Sequence, residues 1–397
     1  MEEGRPPAPG GPLAGIVVVD LTRVLAGPFC TLVLADQGAR VIKVERPGRG
    51  DDARHIGPFR GRASAYFHSL NRGKESIALD LRDPADREIF ERLLARADVL
   101  VENFRPGVME RLGYAYDELR TRFPKLVYAR TSGFGSTGPE RSRPAYDIVV
   151  QALGGVMSLT GHSGSPPTRV GTSIGDLAAG LFTAAGIASA LVQRERTGRG
   201  TFVDVAMLDS QVALLENAIA RLQITGEVPG PLGSRHPSIA PFQAFATGST
   251  PIVIAAGNDA LFTRLAGVLG APELAEDPRF ATNADRCRNV DALEGALEER
   301  LAGEDAATWI ERLEAAGIPC APILDVAQVV RHPQVRARNM LVRVHDRELG
   351  EIELAGNPIK TAGHPDPETR RPAPELDADR AAILRELGIG PSPARSR

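Results

Sequence analysis

Cysteine and net charge are both scarce in this chain. Its three cysteines, Cys30, Cys287 and Cys320, are widely spaced and form no C-x-x-C pair, so neither a disulfide framework nor a zinc site is indicated. The net charge of −3 over 397 residues gives no global basic field, which excludes general binding to nucleic acid or membranes but allows a local basic pocket. The composition therefore predicts an enzyme of the reducing cytoplasm.

Long apolar runs are also missing. The longest, residues 177–192, is shorter than the ~20 residues that span a bilayer and is mostly Ala and Gly, so it predicts a buried core helix. The opening segment, MEEGRPPAPGGP, lacks the basic head and apolar centre of a secretory signal. We expect residues 1–12 to be a disordered leader and residues 391–397 a disordered tail.

Several catalytic motifs are absent as well. The sequence has no H-E-x-x-H, P-loop or G-x-S-x-G motif and no His, Asp and Glu cluster at ligand spacing, so metal-dependent and serine-hydrolase chemistry have little support. Residues 133–138, GFGSTG, match G-x-G-x-x-G after a predicted strand. However, Pro139 and a charged run stand where the helix of a dinucleotide fold should begin, and no acidic residue follows at the required distance. This loop is better suited to let backbone approach another ligand.

The order of elements predicts an α/β fold. Short β-branched strands alternate with helices from residue 16 to residue 206, which is typical of a parallel sheet covered on both faces. The Gly/Pro-rich stretch 226–241 leads into a smaller α+β domain with an antiparallel pair at 242–246 and 251–255. We therefore expect a large domain in 13–225, a small domain in 226–331 and a return to the large domain in 332–390.

Polar and basic residues recur near the ends of the predicted elements. Arg46, Lys74, Asn103, Arg105 and Arg111 are of this kind. Ligands of parallel sheets bind beyond the carboxyl ends of the strands, so this recurrence favours a polyanionic ligand such as a phosphorylated cofactor. Scattered solvated cations are the alternative for each residue alone.

Residues 171–192, GTSIGDLAAGLFTAAGIASALV, place Asp176 at the start of a helix rich in small residues. A carboxylate there is stabilised by the free N–H groups of the first turn, so a helix cap is one reading. Gly175, Ala178, Ala179 and Gly180 would also let another backbone or a ligand come close, which makes a nucleophile the other reading. The spacing alone leaves both open.

The chain as a whole resembles the family III CoA-transferases, which include formyl-CoA transferase and carnitine CoA-transferase. The resemblance runs from about residue 15 to residue 387, and its marks are VVDLTRVLAGPF, GARVIKVERPGRGD, NRGKESIALDL, ADVLVENFRPG, RTSGFGSTGP, GDLAAG and GRGTFVDVAMLD. It implies a Rossmann-like large domain built from both ends of the chain, a smaller domain between them, and an interlocked homodimer.

The resemblance also implies the site residues. Asp176 matches the nucleophile of the family, and a coenzyme A thioester is the co-substrate, with no tightly bound cofactor and no metal. The positions implied to contact CoA are Val24, Leu25, Ala26, Arg46, Asn71, Arg72, Gly73, Lys74, Asn103, Phe104, Arg105, Arg111, Thr131, Ser132, Gly133 and Phe134. In the mechanism it implies, the Asp176 carboxylate attacks the donor thioester, the CoA thiolate returns to form an aspartyl-CoA thioester, and an acceptor acid reverses these steps.

Departures from formyl-CoA transferase bear on the substrate. Leu25, Ser132 and Phe134 replace a glutamine, a lysine and a tyrosine of that enzyme, and its tetraglycine loop is missing, so formate and oxalate are disfavoured. Residues 236–245, HPSIAPFQAF, look like the branch that uses succinyl-CoA and dicarboxylic acids, including succinate hydroxymethylglutarate CoA-transferase. Arg169 and Arg235, with His236 beside the latter, are the candidates to hold a distal carboxylate.

Three other activities compete with CoA transfer. The α-methylacyl-CoA racemases, which share this fold, carry their catalytic His where this chain has Tyr146, before Asp147, and only His162 lies near in the sequence. A non-catalytic CoA-binding protein would keep the basic residues without needing Asp176. A CoA hydrolase would use water in place of the acceptor acid.

Overall fold

The computed structural model describes residues 10–390, so residues 1–9 of the expected leader and the expected tail 391–397 lie outside the described residues. The strands are β1 (Val17–Asp20), β2 (Arg40–Glu45), β3 (Phe59–Arg60), β4 (Ala63–Ser64), β5 (Glu75–Ala78), β6 (Val99–Glu102), β7 (Val127–Ser132), β8 (Phe202–Ala206), β9 (Phe242–Phe245), β10 (Ile252–Ala255), β11 (Cys320–Pro322), β12 (Leu341–Asp346), β13 (Gly350–Ala355) and β14 (Thr369–Arg370). The helices are α1 (Ala26–Asp36), α2 (Ala65–Asn71), α3 (Pro84–Leu94), α4 (Val108–Arg111), α5 (Tyr116–Arg122), α6 (Asp147–Leu153), α7 (Val156–Leu159), α8 (Ile174–Thr197), α9 (Met207–Leu214), α10 (Glu216–Thr225), α11 (Asp259–Val268), α12 (Glu273–Glu276), α13 (Asn283–Arg288), α14 (Val290–Leu301), α15 (Ala306–Ala315), α16 (Val326–Val329), α17 (Pro333–Ala337) and α18 (Arg380–Glu386).

A six-stranded parallel sheet with the order β5-β2-β1-β6-β7-β8 forms the main scaffold, which confirms the α/β prediction. Its central strands are β-branched and buried on both faces, as expected for a sheet between two helical layers. Val19, Ile42 and Leu100 face a core that includes Phe90 of α3, whereas Val18 and its neighbours face α1 and α8. Because every strand runs the same way, the loops that follow the strands meet at one edge, the carboxyl edge.

The long helix α8 packs against α1 and the sheet through one face only. Ala184, Ile187 and Leu191 belong to the core, but Leu181 and Phe182 are exposed. The prediction of a wholly buried core helix is therefore wrong for half of its surface. At 24 residues α8 is also long and apolar enough to cross a membrane by length and composition, yet its buried face rests on the sheet.

The outer edge of the sheet, strand β5, is covered by residues 377–380 near the carboxyl end of the chain. The N–H groups of Ser76 and Ala78 donate to Asp379 and Asp377 at 2.8 and 2.7 Å. The Ala78 carbonyl in turn accepts from Arg380 at 2.9 Å. This edge therefore offers few free backbone groups for another strand to pair with.

The chain divides into two compact units. The first contains the residues up to Val156, Arg169–Ile224 and those from Pro333 onward, with the parallel sheet and the small sheet β13-β12-β14. The second contains Met157–Thr168 and Thr225–His332, with the antiparallel sheet β11-β10-β9 and a core that includes Phe262, Leu297 and Trp309. The sequence analysis places residues 157–168 in the first domain, whereas the structure groups them with the second unit.

Candidate active site

The loop after β1 takes a strained conformation. Val24 has φ +67°, a left-handed value that a β-branched residue rarely adopts. Its N–H donates to Asp51 at 3.0 Å, and the neighbouring Arg23 exchanges two backbone hydrogen bonds with the amide of Asn103 at 2.8 and 2.7 Å. Two side chains from other parts of the chain therefore hold this loop in a conformation that it would not keep alone.

Beneath the loop lies a buried ion pair. The Lys43 ammonium lies 2.8 Å from the Asp51 carboxylate, and both side chains are 0% exposed. Lys43 also donates to the carbonyl of Thr22 at 2.7 Å. Burial is the largest single effect and opposes the charge on each partner. The attraction between the two, added to that of other charges and hydrogen bonds around them, exceeds it, so the pKa of Lys43 is raised and the pKa of Asp51 is lowered. The strained loop thus rests on a fully charged, fully buried pair.

Asp176 lies in the first turn of α8, as the sequence predicts. The helix start approaches α1 closely because Gly180 has no side chain: a Cβ there would come within 2.7 Å of the Ala26 carbonyl oxygen. The Ala26 N–H donates to the Asp176 carboxylate and slightly favours its charged form. Burial, followed by repulsion from Asp147, nevertheless raises the pKa of Asp176 from 3.8 to about 7. A carboxylate of this kind is unusually basic, as acids and nucleophiles of active sites often are.

A second carboxylate, Asp147 at the start of α6, faces the start of α8. It accepts from the N–H of Gly175 at 2.9 Å and from the side-chain amide of Gln151 at 2.7 Å, and Arg169 lies 3.5 Å away. In the sequence Asp147 stands out only as the neighbour of Tyr146, so these contacts are not predicted. Its position at the first residue of a helix does not indicate its partner.

Tyr66 of α2 completes the surroundings of Asp176. Burial first, and then the charges of Asp176, Asp147 and Asp51, raise the pKa of Tyr66 to about 12. The phenol therefore stays protonated at neutral pH and remains a hydrogen-bond donor. No sequence motif distinguishes this tyrosine.

Asn71, Arg72 and Lys74, which the resemblance implies to contact CoA, are buried inside the protein. The Lys74 ammonium is bonded to Asp20 at 3.2 Å, Thr31 at 2.8 Å and Asn71 at 2.9 Å, and burial lowers the pKa of Lys74 to about 8. Arg72 forms a two-bond ion pair with Asp36 and is 2% exposed. Both cations therefore brace the scaffold rather than face solvent, and the neighbouring Gly73 has φ +79°.

Other predicted contacts do lie at the carboxyl edge. Arg46 follows β2 and is exposed, and it approaches Asp52 at 3.6 Å. Phe104 and Arg105 follow β6, and Arg111 is exposed on α4. Thr131, Ser132, Gly133 and Phe134 end β7 and continue into the next loop, with Val24, Leu25 and Ala26 after β1.

The loop after β5, residues 79–82, lies at the same edge of the sheet. Its exposed Arg82 stands where the rule of carboxyl ends places a ligand-facing residue, whereas Lys74 precedes β5.

The residues predicted to hold a distal carboxylate differ in their surroundings. Arg169 is in the first unit, with its side chain 41% exposed and one long contact to Asp147. Arg235 belongs to the second unit, where Asp291 and Glu294 already bind its guanidinium. His236, in that unit too, accepts from the N–H of Ser238 at 3.1 Å. Among the described residues, no group of three or more His, Cys, Asp or Glu could hold a metal ion.

Comparisons with known proteins agree on one family. A sequence model of CoA-transferase family III matches residues 13–380. The chain is 51% identical to acetyl-CoA:oxalate CoA-transferase of Acetobacter aceti over 98% of each protein. It is 42% identical to succinyl-CoA:mesaconate CoA-transferase of Haloarcula hispanica, over 96% of this chain and 97% of that one. The crystal structure of a CAIB/BAIF family protein from Brucella suis matches with a TM-score of 0.83 and 40% identity, covering 95% of this chain and 99% of that one.

Proposed function

Since the chain belongs to CoA-transferase family III and is a CoA-transferase, we propose that it moves CoA from succinyl-CoA to a short dicarboxylic acid through an aspartyl-CoA thioester on Asp176. The observation that carries the intermediate is a half-buried carboxylate with a pKa raised to about 7 at a helix start. A helix cap needs no such pKa. The racemase alternative has no support, because Tyr146 fills the histidine position and is 72% exposed.

The reaction proceeds by exchange between oxygen and sulfur nucleophiles. The Asp176 carboxylate attacks the thioester carbonyl of the donor, and the C–S bond breaks to give a mixed anhydride and CoA thiolate. The thiolate then attacks the aspartyl carbonyl, which releases succinate and leaves the aspartyl-CoA thioester. The acceptor carboxylate then attacks the aspartyl-CoA thioester, and the C–S bond breaks to give a second anhydride and CoA thiolate. The thiolate attacks the acceptor's carbonyl in this anhydride, which forms the new acyl-CoA and frees the Asp176 carboxylate.

The surrounding groups assist these steps without changing the atom balance. The Ala26 N–H already points at the carboxylate, so it is placed to stabilise an oxyanion formed at the aspartyl carbon. The exposed cations Arg46, Arg105 and Arg111 are the proposed partners of the CoA phosphates. Lys74 and Arg72 act indirectly, through the scaffold.

The decisive experiment is to incubate the protein with succinyl-CoA alone and to measure its intact mass. We expect a hydroxylamine-sensitive CoA adduct that peptide mapping places on Asp176. A racemase or a non-catalytic binder gives no adduct, and a hydrolase releases free succinate continuously without any acceptor. Either result would contradict the proposal.

A second substrate pair deserves a test because the Acetobacter relative is named for acetyl-CoA and oxalate. That relative weighs against the expectation that oxalate is disfavoured. We therefore expect a panel of dicarboxylates, with oxalate included and with succinyl-CoA or acetyl-CoA as donor, to identify the acceptor by the mass of the new thioester.

Arg169 is the proposed partner of the distal carboxylate, because its guanidinium is half-exposed and has no short ion pair in the described structure. We expect Arg169→Ala to raise the KM for a dicarboxylic acceptor about tenfold or more, as lost charge-assisted hydrogen bonds do. The KM for a monocarboxylic acid of equal length should change little. An unchanged dicarboxylate KM would remove Arg169 from this role, and Arg235→Ala provides the comparison.

We also propose a cytoplasmic homodimer. Leu181, Phe182 and Val192 of α8 and Val212 of α9 are exposed apolar residues of the first unit, and an apolar surface of this kind supports contact with a second copy. Sedimentation of the purified protein as a monomer would contradict the dimer.

A further inference from the structure

The Asp147 carboxylate is held firmly by the hydrogen bonds that it accepts. Its two oxygens accept from the Gly175 N–H at 2.9 Å and from Gln151 at 2.7 Å, and the Arg169 guanidinium lies 3.5 Å away. Gln151 is itself buried and fixed, since its carbonyl oxygen accepts from the N–H of Val170 at 2.9 Å. Repulsion from Asp147 is one of the causes that raise the pKa of Asp176, and these contacts hold the Asp147 carboxylate at a fixed place beside the start of α8.

The groups that act on Asp176 come from four elements. They are Asp147 at the start of α6, the Ala26 N–H of α1, the protonated Tyr66 of α2, and the first turn of α8 itself. Among these groups Asp147 is the charged side chain, and its charge has the same sign as that of the Asp176 carboxylate. A nearby cation would stabilise the free carboxylate of Asp176, whereas the negative charge of Asp147 destabilises it.

We propose that Asp147 is a positioning residue that also drives Asp176 toward its acylated form, because the fixed charge of Asp147 repels the free carboxylate but not the neutral acyl derivative. The inference rests on the function proposed above. It adds a second residue to the reaction that acts only through the first.

The physical reason is a change of charge at Asp176. In the anhydride and in the thioester the aspartyl group is uncharged, so repulsion from Asp147 and the penalty of burial are both relieved when the group is acylated. Protonation of Asp176 relieves the same repulsion and the same penalty of burial. Removing the charge of Asp147 should therefore make both the acylation and the protonation of Asp176 less favourable.

Gly175 shows how closely the two helix starts are fitted. A Cβ at this position would lie 3.1 Å from the Asp147 oxygen and 2.7 Å from Val150. The N–H that Asp147 accepts therefore belongs to a residue that cannot carry a side chain without moving α6. The contact fixes the first turn of α8, and with it the direction of the Asp176 side chain.

Two variants separate the charge from the hydrogen bonds. Asp147→Asn removes the charge, whereas Gln151→Leu keeps the charge and removes one of the hydrogen bonds that Asp147 accepts. Asp98→Asn is the matched control, because Asp98 likewise accepts from one backbone N–H, of Val17, and one side chain, of Arg194, both at 2.8 Å.

The measurement is the rate and the extent of CoA-adduct formation from succinyl-CoA between pH 5 and 9, read by intact mass at a fixed ratio of succinyl-CoA to succinate. In the wild type the rate should rise with pH through about 7, as Asp176 ionises. In Asp147→Asn we expect the midpoint to fall by about one pH unit and the ratio of adduct to free enzyme to fall about tenfold, whereas Gln151→Leu should leave both nearly unchanged. Asp98→Asn should match the wild type.

The outcomes are distinct. If the wild type forms the adduct and Gln151→Leu lowers the midpoint and the ratio as far as Asp147→Asn does, then Asp147 acts only through its hydrogen bonds and the inference is wrong. An unchanged midpoint in Asp147→Asn overturns it equally. Absence of any adduct in the wild type would overturn the proposed function itself.

Discussion

Replacing Asp176 by Asn is expected to reduce CoA transfer at least about 1,000-fold, which corresponds to about 4 kcal/mol of transition-state stabilisation. The amide has nearly the same shape and still accepts from the Ala26 N–H, but it cannot attack a thioester. Turnover with the best acceptor and the mass of the CoA adduct are the two measurements. Asp209→Asn, an exposed first-turn residue of α9, should keep full activity.

The same variant should be more stable than the wild type above pH 7. The pKa of Asp176 is higher in the folded chain than its ordinary 3.8, so its favourable contribution to folding is present below pH 3.8 and is lost as the pH rises through about 7. We expect Asn to raise the free energy of unfolding by about 1 to 3 kcal/mol at pH 8 and by almost nothing at pH 4. Transfer at the native rate by this folded variant would refute the aspartyl intermediate.

Replacing Asp51 by Asn is expected to destabilise the first unit by about 3 kcal/mol, because it leaves the Lys43 ammonium buried without its partner. This destabilisation lies at the low end of the range for a broken buried ion pair, since Asp20 and Glu45 still attract the Lys43 ammonium. The effect should shrink in acid: the pKa of Asp51 is lowered, so its contribution is present above pH 3.8 and is lost as the pH falls through the lowered value.

Unfolding of the two units can be followed separately. All five tyrosines lie in the first unit and the single tryptophan, Trp309, lies in the second. Near-ultraviolet dichroism of tyrosine during urea unfolding therefore reports the loss in Asp51→Asn. Glu88→Gln, which breaks the exposed pair with Arg92, is the control and should cost about 0.5 kcal/mol or less. A loss below about 1 kcal/mol in Asp51→Asn would contradict the importance of the buried pair.

The sequence predicts the scaffold well because local patterns determine it. The segments that become β1, β2 and β6 are short and rich in β-branched residues, and the small-residue helix that becomes α8 is long and starts at a clear signal, so Asp176 is placed correctly in its first turn. Both kinds of pattern extend over neighbouring residues. Propensity and periodicity therefore suffice for them.

The surroundings of Asp176 are not predictable in the same way, because distant residues form them. Asp147 and Gly175 are 28 residues apart, and Lys74 meets Asp20 across 54 residues. The sequence around a single acidic or basic residue does not indicate such a distant partner. For this reason the basic pattern at Lys74 suggests a ligand, whereas tertiary packing makes it an internal brace.

The covering of β5 by residues 377–380 sets an order of events during synthesis. Strand β5 emerges from the ribosome some three hundred residues before the segment that closes its edge, since Ser76 and Asp379 are 303 residues apart. The intervening second unit has its own core and can form first. Until the carboxyl-terminal segment emerges, the nascent chain carries an open sheet edge, and this is the interval in which a chaperone has the most to protect.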